Sequence, residues 1–280
     1  MVGLALALSA SLCWGVADFI GGLQSRRLPL LVVILVSQAS ALAVLVLIVA
    51  VRAQGPPRAV HLLPAAAAGL AGMAGLMAFY RALAIGTMSI VAPIAATGVC
   101  VPVVVGIAGG ERPATAQLAG ILAAVIGVVL VSREPGAAPG RRELARASIT
   151  LALVAALGFG SFAVGLRDSA RYDVLWALVA ARVPGVLALA VAFALVRPAR
   201  PRFARAYVPL LVMGSLDLFA NGLYAVATRH GLLSVIAVAA SLYPLATVIL
   251  ARVVLGERVR RIQEVGIVAA LAGIILIAAG

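Results

Sequence analysis

One string of residues occurs twice in this chain, about 145 positions apart, and it limits the fold more than any other feature. The first copy runs Gly110-Glu111-Arg112, Gln117, Gly120, Ala123-Ala124, Gly127. The second runs Gly256-Glu257-Arg258, Gln263, Gly266, Ala269-Ala270, Gly273, with every spacing kept. The match continues outside the string. Trp14-Gly15 corresponds to Phe159-Gly160, Arg26 to Arg171, and Gly86 and Ser89 to Gly231 and Ser234. The chain is therefore two homologous halves, and its fold must be one unit built twice.

The medium for that unit follows from composition. Hydrophobic residues make up 64% of the chain and charged ones 11%, outside the range of soluble domains. Apolar runs of roughly 20 residues, the length that crosses a hydrocarbon core of about 30 Å, follow one another with short gaps. They predict ten spans, at 3–22, 28–51, 62–83, 87–108, 114–132, 148–166, 174–196, 208–228, 232–255 and 262–279. The first run lacks a basic leader and is longer than a signal-peptide core, so it reads as a retained span. A Pro/Gly-containing stretch, 133–147, separates a first five-helix repeat (1–132) from a second (148–280). The expected fold is all-α and integral to the membrane.

Five spans per half is an odd number, so the second half must enter the bilayer from the opposite face. The two five-helix repeats are then inverted, the arrangement of many secondary transporters. The net charge of +13 comes from arginines in the gaps between spans, where orientation and anionic lipid account for it and nucleic acid does not. Arg26, Arg27, Arg81, Arg133, Arg141, Arg142, Arg146, Arg197, Arg200, Arg202, Arg205, Arg258, Arg260 and Arg261 fall on one side, against mainly Arg52, Arg58, Arg112, Arg167, Arg171 and Arg229 on the other. That bias places both termini outside. The chain has no lysine, which excludes Schiff-base chemistry, and Cys13 and Cys100 inside apolar runs read as free thiols.

With the duplicated five-span unit and the Gly-Glu-Arg turn before the last span of each half, the sequence resembles the drug/metabolite transporter superfamily, EamA type. The Trp-Gly pair of the first span adds to the likeness, which covers essentially the whole chain. The resemblance implies a central cavity lined by the first, third and fourth spans and their repeat mates, with the fifth and tenth at the periphery. It implies substrates ranging over amino acids, nucleosides, sugars and toxic compounds. Many relatives keep both termini in the cytoplasm, so the arginine bias departs from that pattern. The superfamily's small multidrug members carry a glutamate midway along the first span. This chain has no acid there, and Asp18 sits about one turn from the predicted end of that span.

Ionisable residues inside spans mark the candidate site, because a charge at bilayer depth is costly and usually faces a cavity or a partner. Asp217 lies near the middle of the eighth span. With Asn221 and Tyr224 it has i, i+4, i+7 spacing, so all three share a face. Arg182 lies well inside the seventh. The expectation is an Arg182–Asp217 pair beside the cavity, with Asn221 and Tyr224 on substrate; a purely structural pair weighs as much. Arg182 could instead hold a substrate carboxylate directly. Its repeat mate is Ser37, beside Gln38, and that of Asp217 falls at Gly72 or Met73, so the halves differ in polarity at depth. In the first span Ser11, Gly15 and Asp18 share a face flanked by Trp14, a stacking candidate whose commoner role is packing. Tyr80 and Tyr243 are weaker candidates.

Glu111 and Glu257 each precede a helix and are expected to cap it, or to pair with the adjacent Arg112 or Arg258. The small-residue faces Gly120/Ala124/Gly127 and Gly266/Ala270/Gly273 are expected to pack helices closely. Pro93, Pro102, Pro184 and Pro244 lie within apolar runs and predict kinks. No metalloprotease, nucleophile-elbow, Walker or acidic metal motif occurs, so no enzyme activity, cofactor or metal is expected and ATP does not drive the protein directly. The expected function is secondary transport, in the export direction, of a small polar or amphipathic metabolite or drug across a cell (inner/plasma) membrane. Proton exchange at Asp217 would drive it. The partners are then a small-molecule substrate and the lipid bilayer, with the protein a monomer or homodimer. A flippase for a lipid-linked substrate is the alternative; a membrane scaffold or enzyme is weaker.

Overall fold

A computed structural model describes residues 2–108, 115–131, 139–199, 204–230, 236, 239–257 and 261–279, and every regular element among them is helical. The helices are α1 (Val2–Ser25), α2 (Leu30–Arg52), α3 (Leu63–Ile85), α4 (Met88–Ala96), α5 (Cys100–Ala108), α6 (Thr115–Val131), α7 (Pro139–Ala170), α8 (Val174–Val196), α9 (Val208–Ala227), α10 (Tyr243–Leu255) and α11 (Arg261–Ala279). Six of them, α1, α2, α3, α7, α8 and α9, are long and apolar enough to cross a membrane. The ten predicted spans are thus matched only in part. The fourth is split into α4 and α5 by a 3₁₀ turn at Thr97–Val99, and the fifth, α6, is 17 residues long. The ninth lies partly outside the described residues, and its described part turns at Ser241-Leu242 before α10. Glu111, Gly231, Ser234 and Arg258 also fall outside. A hydropathy window cannot see either break, because both are short and carry no charge.

α7 begins at Pro139, inside the stretch read as a linker. Proline is well placed there, since the first turn of a helix has no use for its missing N–H. Pro244 likewise stands in the first turn of α10, so it starts a helix where a kink was expected.

Side-chain contacts give the helix directions. Gly22 of α1 and the following Arg26 meet Leu83 at the end of α3, so these two helices run the same way. Along α3, Ala65 meets Ser169, Gly72 meets Phe162, and Gly86 meets Ser148, so α7 runs opposite to α3 and hence to α1, its repeat mate. At the start of α1, Gly3 meets His230 just past the end of α9. α9 therefore opposes α1, and with it α3, its own mate.

The packing also repeats across the halves. α1 lies along α9 as α7 lies along α3; α2 meets α9 as α8 meets α3; and α2–α8 and α6–α11 are mates packed on each other. Such pairing is that of a two-fold relation. The contacts are close because small residues make them. A Cβ on Gly69 would strike the Ala181 carbonyl, and one on its mate Gly214 would strike the Ser37 carbonyl. A Cβ on Gly127 of α6 would run into the Ala270 backbone of α11, the close packing its small-residue face predicts. Large apolar side chains point outward instead, among them Leu47, Leu157, Leu195 and Val253, as a lipid-facing surface requires.

Candidate functional site

The duplicated Trp/Phe-Gly pair has a structural cause at the two helix breaks. Gly15 of α1 packs on the carbonyl of Tyr243, where a Cβ would lie 2.5 Å from the oxygen and 2.6 Å from the Ala246 methyl. Gly160 of α7 packs in the same way on the Gly98 carbonyl and on Val101, the repeat mates of Tyr243 and Ala246. Only glycine lets a straight helix reach that backbone. Thr247 completes the first junction, its hydroxyl donating to the Gly15 carbonyl at 3.1 Å.

Between these junctions lies a cavity of about 170 Å³. It has room for on the order of ten waters or a small organic molecule. Trp14 and Asp18 reach it from α1, Gly72 and Met73 from α3, Phe159 and Phe162 from α7, and Asp217, Asn221 and Tyr224 from α9. The breaks contribute Gly98 and Tyr243. These are the elements that the family resemblance implies, and no residue of α6 or α11 lines the cavity among the described residues. Two further helices add Gln38 from α2 and Arg182 from α8.

The polar residues form one network. Arg182 Nη2 donates to Asp217 Oδ2 at 2.9 Å, and Nη1 donates to Gln38 Oε1 at 2.6 Å. Gln38 Nε2 donates to the same Asp217 oxygen at 3.3 Å. Asn221 Nδ2 donates to Asp217 Oδ1 at 3.0 Å and to its main-chain carbonyl at 2.7 Å. The Arg182 and Asp217 side chains are only 6% and 17% exposed, so each charge needs the other. Arg182 Nε is buried and makes no hydrogen bond among the described residues.

Asp18 stands apart from this network. It is 8% exposed and makes no ion pair among the described residues; its partner is the Tyr80 hydroxyl. Because α1 continues to Ser25, Asp18 lies about two turns inside the helix, deeper than the sequence placed it. Tyr80 itself is fully buried against Gly21 and is not among the cavity-lining residues; it stands behind Asp18. Trp14 and Tyr224 face each other across the cavity wall, with ring centroids 5.7 Å apart and tilted by 48°. The Tyr243 hydroxyl is buried without a partner among the described residues.

The structure thus joins Arg182, Asp217 and Asn221 directly, and places Trp14, Asp18, Tyr224 and Tyr243 around the same space. The sequence reading did not select Gln38. Its signal was its place beside Ser37, the repeat mate of Arg182: α2 and α8 pack on each other, so each reaches the other's polar position.

Comparison with known proteins agrees with the duplication. The model of the EamA-like transporter family matches residues 1–133 and, separately, 146–279. No curated protein sequence matches the chain. Among solved structures, one crystal structure of a protein superposes with a TM-score of 0.66, covering 98% of this chain and 95% of the other at 15% identity. At that identity the likeness concerns the fold alone.

Proposed function

We propose that this chain, which belongs to the EamA-like transporter family and so to the membrane transporters of small solutes, carries a small amphipathic metabolite or drug by alternating access. The reading rests on one observation: a cavity at the junction of two matched helix breaks, walled by both halves, whose mates run in opposite directions. Broken helices around a central site, in repeats of opposite direction, suit a carrier whose halves exchange conformations around a fixed ligand. Chemically similar halves keep the two end states close in energy, so a ligand or a proton can shift the balance. Ten crossings, with the split and shorter helices also spanning, complete the picture, in the cell membrane and in the export direction.

The lining suits an amphipathic guest. Trp14, Phe159, Phe162 and Tyr224 offer apolar and aromatic surface, while Asp18 offers a polar contact. Proton coupling, if it drives transport, belongs at Asp18. Asp217 is already held by Arg182, Gln38 and Asn221, which makes it the poorer of the two acids for proton exchange.

The test is flux through purified protein in ATP-free proteoliposomes, using amino acids, nucleosides and cationic dyes as probes. Saturable counterflow of at least one probe, lost in Gly15→Leu, supports the reading. Lack of counterflow for every probe, from protein that remains folded, overturns it.

A further inference from the structure

The repeated Gly-Glu-Arg turn has work that sequence did not show. Among the described residues Glu257 makes no bond to α11, the helix that follows it. Its carboxylate reaches into the other half and accepts from the main-chain N–H of Met88 at 3.1 Å and of Ser89 at 3.0 Å, the unpaired donors at the start of α4. The Ser89 hydroxyl adds a third bond at 3.0 Å, and Arg26 Nη2 a fourth at 3.3 Å. Arg26 is itself fixed on the last carbonyls of α3, with Nε on Leu83 at 3.2 Å and Nη2 on Gly86 at 3.0 Å. One carboxylate, only 12% exposed, therefore ties the end of α10 to the ends of α1 and α3 and to the start of α4.

This knot sits at one end of the bundle; Asp18 and Gln38 line the nearer part of the cavity, and the part lined by α8 and α9 lies toward the other end. Leu178, Ala181 and Arg182 line it from the first turns of α8, and Asp217, Asn221 and Tyr224 from the later turns of α9. Both of those stretches are at the end opposite Arg26. Among the described residues, the repeat mate of Arg26 there, Arg171, bonds Asp168 of α7 and is 60% exposed.

We propose that the Arg26–Glu257–Ser89 cluster is a latch between the halves, which closes the α1–α3–α10 end of the cavity and must open for the carrier to turn over. It rests on the transporter reading and adds the gate. The cluster is suited to a reversible task. Each of its bonds joins different helices, Arg26 is partly exposed so that water can replace its bond on opening, and charge assistance makes the bonds strong while formed. The pairing also has a fixed sense: the latch is made in the state whose cavity lies toward the far end, and breaking it favours the opposite state.

Amide hydrogen exchange on the whole protein in lipid nanodiscs tests this without a substrate. The variants are Glu257→Gln, Arg26→Ala and the milder Ser89→Ala, with Arg171→Ala as control. Loss of the latch is expected to raise exchange at 83–91 about tenfold and, because the population moves to the other state, to slow it at 172–176 and 226–230. Arg171→Ala is expected to leave 83–91 unchanged. A rise at 83–91 with no slowing at the far end marks a helix cap and nothing more, and overturns the latch. Flux in proteoliposomes separates the two ideas: one-sided exchange in a variant that still transports removes the latch and leaves the transporter reading intact.

Discussion

Replacing Arg182 with methionine tests whether the buried network is a linked unit. The substitution deletes two charge-assisted bonds, of 2.6 and 2.9 Å, and leaves the 17%-exposed Asp217 carboxylate with Gln38 and Asn221 as its donors among the described residues. Removing one partner of a buried pair costs about 3–5 kcal/mol, because the other charge stays behind uncompensated. With two amide donors still in place, the lower end of that range, about 3 kcal/mol, is expected. Asp217→Leu strands the guanidinium with Gln38 as its one remaining partner among the described residues and should cost a similar amount. Replacing both removes both charges, and apolar substitutes of like volume are often neutral in such positions. The double variant should therefore be more stable than the sum of the singles implies, by at least about 2 kcal/mol. Unfolding free energies in mixed micelles measure all three. Singles that add to within about 0.5 kcal/mol would refute the argument, since that is how independent sites behave.

Four further outcomes follow from the same geometry. Gly15→Ala should lower the unfolding midpoint and the flux, because its methyl would lie 2.5 Å from the Tyr243 carbonyl oxygen; Gly222→Ala, with nothing within 4 Å, should stabilise α9 by about 0.5–1 kcal/mol in the same unfolding assay. Trp14→Ala should raise the KM of counterflow more than it lowers the maximal rate, since Trp14 faces the cavity beside Tyr224; an unchanged KM would make it a packing residue. Asp18→Asn should leave counterflow intact while abolishing uphill transport driven by a pH gradient, whereas a variant that still concentrates its substrate would rule out Asp18 as the coupling group.

Duplication, helical class and transporter family were all legible in the residues, because a repeat of fixed spacing survives without any knowledge of contacts. The Arg182–Asp217 pair was legible for another reason: charges at bilayer depth are rare enough to seek each other. Gln38 was not, since a neutral amide in an apolar run carries no such alarm. Its meaning came only when α2 and α8 were seen to pack as mates. Glu257 shows the limit of local rules most clearly. A carboxylate before a helix predicts a cap on that helix, yet here it caps α4, more than half the chain away, because the αL turn at Gly256 directs the next residue across the interface between halves. The helix breaks were hinted at by Pro93, Pro102 and Pro244, but their junctions with Gly15 and Gly160 are tertiary facts.

The central claim is that the two halves trade places around the cavity, so its ends should open in turn. Paired spin labels measure this directly, with Cys13 and Cys100 first replaced by serine: one pair at Gln24 and Leu255 on the latch end, another at Tyr172 and Arg229 on the far end. The account predicts two populations in which one distance lengthens as the other shortens, with their ratio shifted by Glu257→Gln. Distances that stay fixed, or that lengthen together, in protein that still carries its substrate would contradict it.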